Sequence, residues 1–196
     1  MRYHVFEEGR DEYPVCILVD RINEEEIRKN YIEPYKLLER DVIILSLYLN
    51  PNKKKTPVRE LKEYASELLP VIQQHKSTHL VIAHGDYFKL LTGSARVEEN
   101  LGYVMDIVDA PSPMVGVYVP SLRAMFYDPV SVTAKIERGI RAIQYHRVGC
   151  YVPPGNEIIK NEYYPTTLSY RDWETDRKST RLNSSHSAKS RMPSSA

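Results

Sequence analysis

The chain has 196 residues, of which 42% are hydrophobic, and its 27 Lys and Arg nearly balance its 26 Asp and Glu. This near-neutral charge gives no global electrostatic argument for or against nucleic acid. The two cysteines, Cys16 and Cys150, provide neither a disulfide framework nor a metal-ligand set, and no apolar run approaches the roughly 20 residues of a membrane span. Residues 1–8 also lack the apolar core of a signal peptide, so we expect a cytoplasmic protein with no membrane partner. We expect no cofactor.

Apolar runs that read as strands alternate along the chain with segments that read as helices. The predicted strands are residues 15–19, 42–49, 80–83 and 115–119, with 105–108 a candidate edge strand. The predicted helices are residues 22–39 with a kink at Pro34, 58–74, a short one that follows Gly85 and ends at Gly93, and 131–146. The alternation predicts an α/β fold with three layers, α/β/α, around a central, mostly parallel four-stranded sheet.

The stretch from Thr78 to Gly93 is the most informative part of the sequence. A buried-type strand ends at His84-Gly85, and an amphipathic helix begins at once. In open α/β sheets, ligands bind at the carboxyl ends of such strands. We therefore expect the functional site to lie at the strand ends.

The carboxyl-terminal part of the chain is expected to lie outside the α/β domain, which we place at residues 1–147. Residues 148–171, rich in Tyr and Pro, are typical of a linker or of the start of a truncated second domain. Residues 176–186 back-translate into a sequence similar to a common short-read sequencing adapter, and residues 190–196 fit its continuation. We expect residues 172–196 to be a non-native tail of a gene that was longer; they hold five basic and three acidic residues, which leaves 22 basic against 23 acidic.

The order of elements between Val15 and Arg147 resembles the uracil-DNA glycosylase superfamily, especially its bacterial and archaeal branches. Three segments carry the resemblance: residues 41–49 followed by Pro51 and Thr56-Pro57, residues 80–85 with 90–93, and Val119-Pro-Ser-Leu-Arg123 with Asp128-Pro129. The third segment is the most specific, because it is similar to the family's His-Pro-Ser motif.

The resemblance implies a chemistry whose parts this sequence lacks. Enzymes of the family extrude the target base into a pocket, stabilise the departing uracil anion with a His, and recognise the base with a strand-end amide. Here the His position is Val119, the amide position is Ser46, and Asp20-Arg21-Ile22-Asn23 replaces the loop that positions a water. The iron–sulfur branch needs four cysteines, and this chain has two. We expect the fold without base excision.

A fold of this kind without catalysis occurs, by resemblance, as an N-terminal module of large bacteriophage DNA polymerases of the A family. The leading hypothesis is accordingly a catalytically degenerate domain that binds DNA, single-stranded or primer–template, or replication proteins. Two alternatives remain open. One is an active glycosylase or nucleotide hydrolase with non-standard catalytic residues, and the other is a plain α/β protein-interaction domain.

The candidate site residues lie at or near the predicted strand ends. Asp20 and His84 are the candidate catalytic residues, since a carboxylate and an imidazole can position water or transfer protons; a helix-capping role for Asp20 and a structural role for His84 are the alternatives. The expected DNA-binding residues are Ser46, Asn50, Lys53, Lys54, Lys55, Gly85, Pro120, Ser121 and Arg123. For the three lysines the alternative is a solvated loop. Among the tyrosines, Tyr87, Tyr118 and Tyr127 are candidates for stacking on bases.

Overall fold

A computed structural model describes residues 1–155 of the chain. Residues 156–171 of the predicted linker and the predicted tail, 172–196, lie outside the described residues. Within residues 1–155 the strands are β1 (Tyr3–Val5), β2 (Val15–Val19), β3 (Val42–Ser46), β4 (His79–Ile82), β5 (Met105–Asp106) and β6 (Val115–Tyr118). The α-helices are α1 (Glu24–Ile27), α2 (Val58–Gln74), α3 (Gly85–Thr92) and α4 (Pro129–Arg147). The protein is therefore mixed α/β, as the alternation of elements predicts.

The strands form one mixed sheet in the order β1-β3-β2-β4-β6-β5. The four central strands are parallel, and the short outer strands β1 and β5 pair antiparallel to β3 and β6. The predicted number of four strands is thus wrong for the part of the chain that the structure describes, where six are present. The candidate edge strand at residues 105–108 is present as β5, whereas β1 is too short for its hydrophobic pattern to predict it.

Every residue of β2 is buried, and alternate side chains of this strand point to opposite faces of the sheet. Val15, Ile17 and Val19 pack in one apolar cluster with residues of α4 and of the segment after β2. Cys16 and Leu18 pack in a second cluster with residues of α2 and α3. The side chains on both faces of β2 are therefore packed among apolar residues, and the polar residue Asp20 follows at the end of the strand.

The predicted helix at residues 22–39 is the main local difference. Asn23 caps α1 through its side chain, but the α-helix lasts only four residues and continues as a π-helical turn over Arg28–Ile32 and a 3₁₀ turn over Glu33–Tyr35. Pro34 has no N–H and its ring clashes with a preceding carbonyl, so the chain leaves α geometry there. By contrast α2 keeps its predicted bounds although Pro70 lies inside it.

The glycine that the sequence places at the end of α3 is required by the backbone. Gly93 has a φ of 70°, a left-handed conformation that stops the helix. The turn before α3 brings His84 and Asp86 to the carboxyl end of β4. No helix within residues 1–155 combines the length and the apolar character that crossing a membrane requires.

Candidate functional site

The strand order places a topological switch point between β2 and β4. From β2 the chain crosses to β3 on one side, whereas β4 is followed on the other side by β6. Two loops therefore diverge at the carboxyl ends of β2 and β4, and crevices of this kind bind ligands in open α/β sheets. Asp20 follows β2, and His84 lies two residues after the end of β4.

A cleft of about 1740 Å³ lies over these strand ends, and we call it the strand-end cleft. Most of the residues predicted from the sequence line it: Asp20, Ser46, Asn50, Lys53, Lys54, Lys55, His84, Ser121 and Arg123. The cleft is larger than the ~300–1,000 Å³ of typical small-molecule pockets. Its size favours an extended ligand.

Asp20 and Arg123 form an ion pair in this cleft. Nε of Arg123 lies 2.8 Å from Oδ2 of Asp20, and the Asp20 side chain is only 12% exposed while that of Arg123 is 72% exposed. Asn23, rather than Asp20, caps α1. Asp20 thus holds an arginine at the mouth of the cleft.

His84 is half-buried on the cleft wall between charged groups. Its Nδ1 is buried and has no hydrogen-bond partner among residues 1–155, and its ring meets the Tyr87 ring edge-on at 5.6 Å. Burial lowers the pKa of His84; the Asp86 and Asp20 carboxylates oppose this shift, and the Arg123 and Lys55 cations reinforce it. Burial therefore disfavours the protonated imidazole, and its buried Nδ1 has no hydrogen bond within residues 1–155 to offset this.

The loop between β3 and α2 presents three lysines. Nζ of Lys53 lies 3.1 Å from a carboxylate oxygen of Glu60, and Nζ of Lys55 lies 3.4 Å from Asp86. Lys54 has no ion-pair partner among the described residues, and neither does Arg21 on the other side of the cleft. Surface ion pairs are weak and open easily, so all three lysines are accessible to an anionic ligand.

Asn50 and Ser46 line the cleft and also make hydrogen bonds within the protein. The Asn50 side chain donates to Glu60 at 2.8 Å, and its backbone N–H donates to Oγ1 of Thr56 at 2.9 Å, which closes the loop. The Ser46 hydroxyl accepts from the N–H of Arg2 at 3.0 Å and donates to the carbonyl of the same residue at 3.1 Å. Ser46 accordingly fixes the start of the chain against β3.

Gly85 and Pro120 are not among the residues that line the cleft. Gly85 packs against Val97, and Pro120 is buried with its carbonyl accepting from the Tyr31 hydroxyl at 3.1 Å. Val119, which takes the place of the family's catalytic His in the resemblance, is fully buried and faces Gly139 of α4. Of the candidate stacking residues, Tyr87 is fully buried and Tyr127 is exposed.

Sequence reasoning missed the basic contribution of two residues, Arg2 and Arg21, to the cleft. With them, six basic side chains (Arg2, Arg21, Lys53, Lys54, Lys55 and Arg123) line the cleft against two acidic ones, Asp20 and Asp86, an excess of four positive charges. Arg21 lies two residues after a predicted strand, and this position near a strand end is the signal from which its place in the cleft could have been predicted. Arg2 reaches the cleft through β1, a strand too short to be predicted.

A second cavity, of about 620 Å³, lies at the opposite, amino-terminal end of the strands. His79 and His146 face each other there, with Nε2 of His79 3.0 Å from Nδ1 of His146, while Nδ1 of His79 lies 2.8 Å from the Thr78 hydroxyl. Burial lowers the pKa of His79 to about 4, and the His146 and Arg147 side chains add to the shift. Among residues 1–155 no group of three or more His, Cys, Asp or Glu side chains is placed to hold a metal ion.

No model of a known protein family matches this chain, and no curated protein matches it. The strand-end cleft is therefore the feature of the molecule from which a function can be inferred.

Proposed function

We propose that this protein is a nucleic-acid-binding domain that binds DNA at the strand-end cleft and does not cleave the bond between base and sugar. The observation that carries the proposal is the segregation of charge. The whole chain has a formal net charge of +1, whereas the cleft alone has an excess of four basic side chains. A basic cleft on a nearly neutral protein is an electrostatic footprint for a polyanion.

The loss of base excision is supported by the side chains that occupy the positions of the family's catalytic groups. Val119 carries no proton donor and is buried away from the cleft, and the Ser46 hydroxyl already binds the backbone of Arg2. Neither residue is therefore available to stabilise or to read an extruded base.

The proposal includes the finer fold, a three-layer α/β/α domain like those of the uracil-DNA glycosylase superfamily. Two apolar clusters, one on each side of the parallel strands, support it. The setting follows from the resemblance alone: a module at the N-terminus of a phage-type DNA polymerase, where replication proteins are further partners.

Salt-dependent binding tests the proposed function. Fluorescence anisotropy with a labelled DNA oligonucleotide at several salt concentrations should give a linear fall of log affinity with log salt. The variant Arg21→Ala/Lys54→Ala removes two cations of the cleft that have no ion-pair partner among the described residues, so we expect a slope smaller by about 1.4 to 1.8.

The matched control is Lys62→Ala/Lys89→Ala, which removes the same charge from α2 and α3 at exposed positions that do not line the cleft. It should leave the slope within experimental error of the original. If both variants lower the salt slope by the same amount, DNA is attracted non-specifically to the charge of the whole protein and not to the cleft. The absence of salt-dependent binding would favour a plain protein-interaction domain.

A second candidate function is supported by the environment of His84. Its neutral ring, its unpartnered Nδ1 and the nearby Asp20 carboxylate form a set that can act as an acid–base pair. An assay for release of uracil from single-stranded DNA, and for hydrolysis of nucleotides, tests this candidate. Activity that disappears in both Asp20→Asn and His84→Gln would replace the first proposal with an active enzyme.

A further inference from the structure

We infer that the strand-end cleft is built for a single-stranded nucleic acid whose bases stack on Tyr48, rather than for a duplex. The inference rests on the proposed function and specifies its substrate class. It depends on three features of the cleft: a fixed aromatic side chain, cations on three separate loops, and a concave shape.

Tyr48 is the fixed aromatic side chain. It lies two residues after β3, lines the cleft, and is 39% exposed. Hydrogen bonds hold its segment on both sides: the N–H of Leu47 donates to the carbonyl of Val19 at 2.7 Å, and the Tyr87 hydroxyl donates to the carbonyl of Tyr48 itself at 2.8 Å. An aromatic side chain on an ordered segment loses little conformational freedom when a base stacks on it.

Packing against other rings also orients Tyr48. Its ring centroid lies 5.9 Å from that of Tyr64, which in turn lies 6.2 Å from that of Tyr87. The Tyr64 hydroxyl donates to the carbonyl of Ser46, so this support is tied to the end of β3. The Tyr48 ring therefore contacts a supported aromatic neighbour while 39% of the residue stays exposed in the cleft.

The cations lie on loops that follow three different strands of the sheet. Arg21 follows β2, the three lysines follow β3, and Arg123 follows β6. Neighbouring strands are about 4.8 Å apart, and β3 and β6 are separated by three such steps. The strand ends that carry these loops are therefore spread over about 14 Å, so a ligand that contacts all three loops has to be extended.

The shape of the cleft distinguishes a single strand from a duplex. Proteins that read a duplex insert a helix or a two-stranded ribbon into a groove, but the cleft is concave and its lining residues come mainly from strand ends and loops. Bases paired inside a duplex cannot reach a tyrosine on a concave wall. Bases of a single strand can turn outward and stack.

The test compares three labelled probes of about 12 nucleotides, a length within the site sizes of single-strand-binding domains. They are oligothymidine, an oligomer of abasic sugar phosphates with the same number of phosphates, and a duplex hairpin. We expect oligothymidine to bind at least about tenfold more tightly than the abasic oligomer, because only the former can stack.

Tyr48→Ala should remove most of this difference while the affinity for the abasic oligomer stays the same. Tyr48→Phe should retain the difference, and Tyr145→Ala is the matched control because Tyr145 is exposed on the last turn of α4 and does not line the cleft. If Tyr48→Ala fails to fold, Tyr48→Leu provides the same measurement without a ring.

The inference is overturned if Tyr48→Ala leaves the preference for bases unchanged, or if the duplex binds as tightly as oligothymidine. In either case salt-dependent binding through Arg21 and Lys54 still supports the proposed function. If none of the three probes binds, the proposed function and this inference fail together.

Discussion

Arg123 and Asp20 join the ends of two strands that are not neighbours in the sheet. Their ion pair, at 2.8 Å, runs from the loop after β6 to the end of β2, and β4 lies between these two strands. His84, at the end of β4, consequently lies close to both charges, and each of them acts on its pKa. The pair provides a way to test the electrostatics of the cleft without a ligand.

Opposite substitutions of this ion pair should shift the pKa of His84 in opposite directions. Arg123→Ala removes a cation that lowers the pKa, so the pKa should rise toward its ordinary value; Asp20→Asn removes a carboxylate that raises it, so the pKa should fall further. NMR titration of the imidazole protons measures both shifts. Arg141→Ala, on the outer side of α4, is the control, and shifts of the same sign in both variants would contradict the described geometry.

Ser46→Ala should affect folding more than binding. Its hydroxyl makes two hydrogen bonds to the backbone of Arg2, and their loss should lower the free energy of unfolding by about 1 to 2 kcal/mol. Because the hydroxyl is already occupied, affinity for DNA should change less than about twofold, which corresponds to under ~0.5 kcal/mol. Denaturation by urea and anisotropy titrations give the two numbers, and a large loss of affinity with unchanged stability would make Ser46 a DNA contact.

Gly139→Ala should destabilise the protein although alanine is the better helix former. A Cβ at this position would lie 2.6 Å from Cγ1 of Val119 and 2.9 Å from the carbonyl oxygen of Tyr118, so α4 would have to move away from the sheet. Overpacking of this kind costs about 1 to 3 kcal/mol, which exceeds the gain of about 1 kcal/mol in helix propensity.

Gly85→Ala is the matched control for Gly139→Ala in thermal unfolding. The new Cβ would meet only the Val97 side chain, at an ordinary 3.6 Å. Its effect on stability should therefore be small. A variant at Gly139 that is as stable as the unsubstituted protein would show that α4 packs less closely on β6 than the structure describes.

The stability of the protein should fall on acidification between pH 6.5 and about 4 because of His79. The pKa of this residue is about 4 in the folded state against 6.5 for a free His, so the unfolded chain binds more protons in this range and stability rises with pH. Since the side chain is partly exposed, we expect a contribution of about 1 to 2 kcal/mol, less than the full shift would give.

The measurement is the difference in unfolding free energy between the unsubstituted protein and His79→Gln as a function of pH. Carboxylates titrate in both proteins, so the difference isolates the histidine. The unfolding free energy of the unsubstituted protein minus that of the variant should decrease toward pH 4 and be constant above pH 7. A difference that does not change across this range would mean that His79 is less buried in solution than the structure describes.

The central part of the fold could be predicted because burial leaves a strong signal in sequence. The central strands follow from uninterrupted apolar runs, and α2 follows from its amphipathic spacing, even with Pro70 inside it. The outer strand β1 could not be predicted, because Tyr3–Val5 is only three residues long and pairs with β3 through its backbone. The α-helix after β2 was overestimated even though a kink at Pro34 was expected, because apolar spacing does not distinguish an α-helix from the π and 3₁₀ turns that follow Ile27.

The site could be predicted to the extent that it follows from strand order. Asp20 and His84 come together because the carboxyl ends of parallel strands share one edge, which an α/β pattern implies. The hydrogen bonds and ion pairs that each site side chain makes could not be predicted, because they join parts of the chain that are distant in sequence. Arg2 binds Ser46, Tyr31 covers Pro120, and Arg123 reaches Asp20.

The short antiparallel strand β1 closes one edge of the parallel strands, and short edge strands are one way in which proteins limit edge-to-edge pairing. It occupies the outer edge of β3, whose residues Val42–Ser46 would otherwise present unpaired backbone groups beside a run of aliphatic side chains. Removing the first few residues would turn this shielded strand into an open template for a second chain. A protein that lacks residues 1–5 should therefore form soluble oligomers and then precipitate, because the edge of β3 is no longer paired with β1.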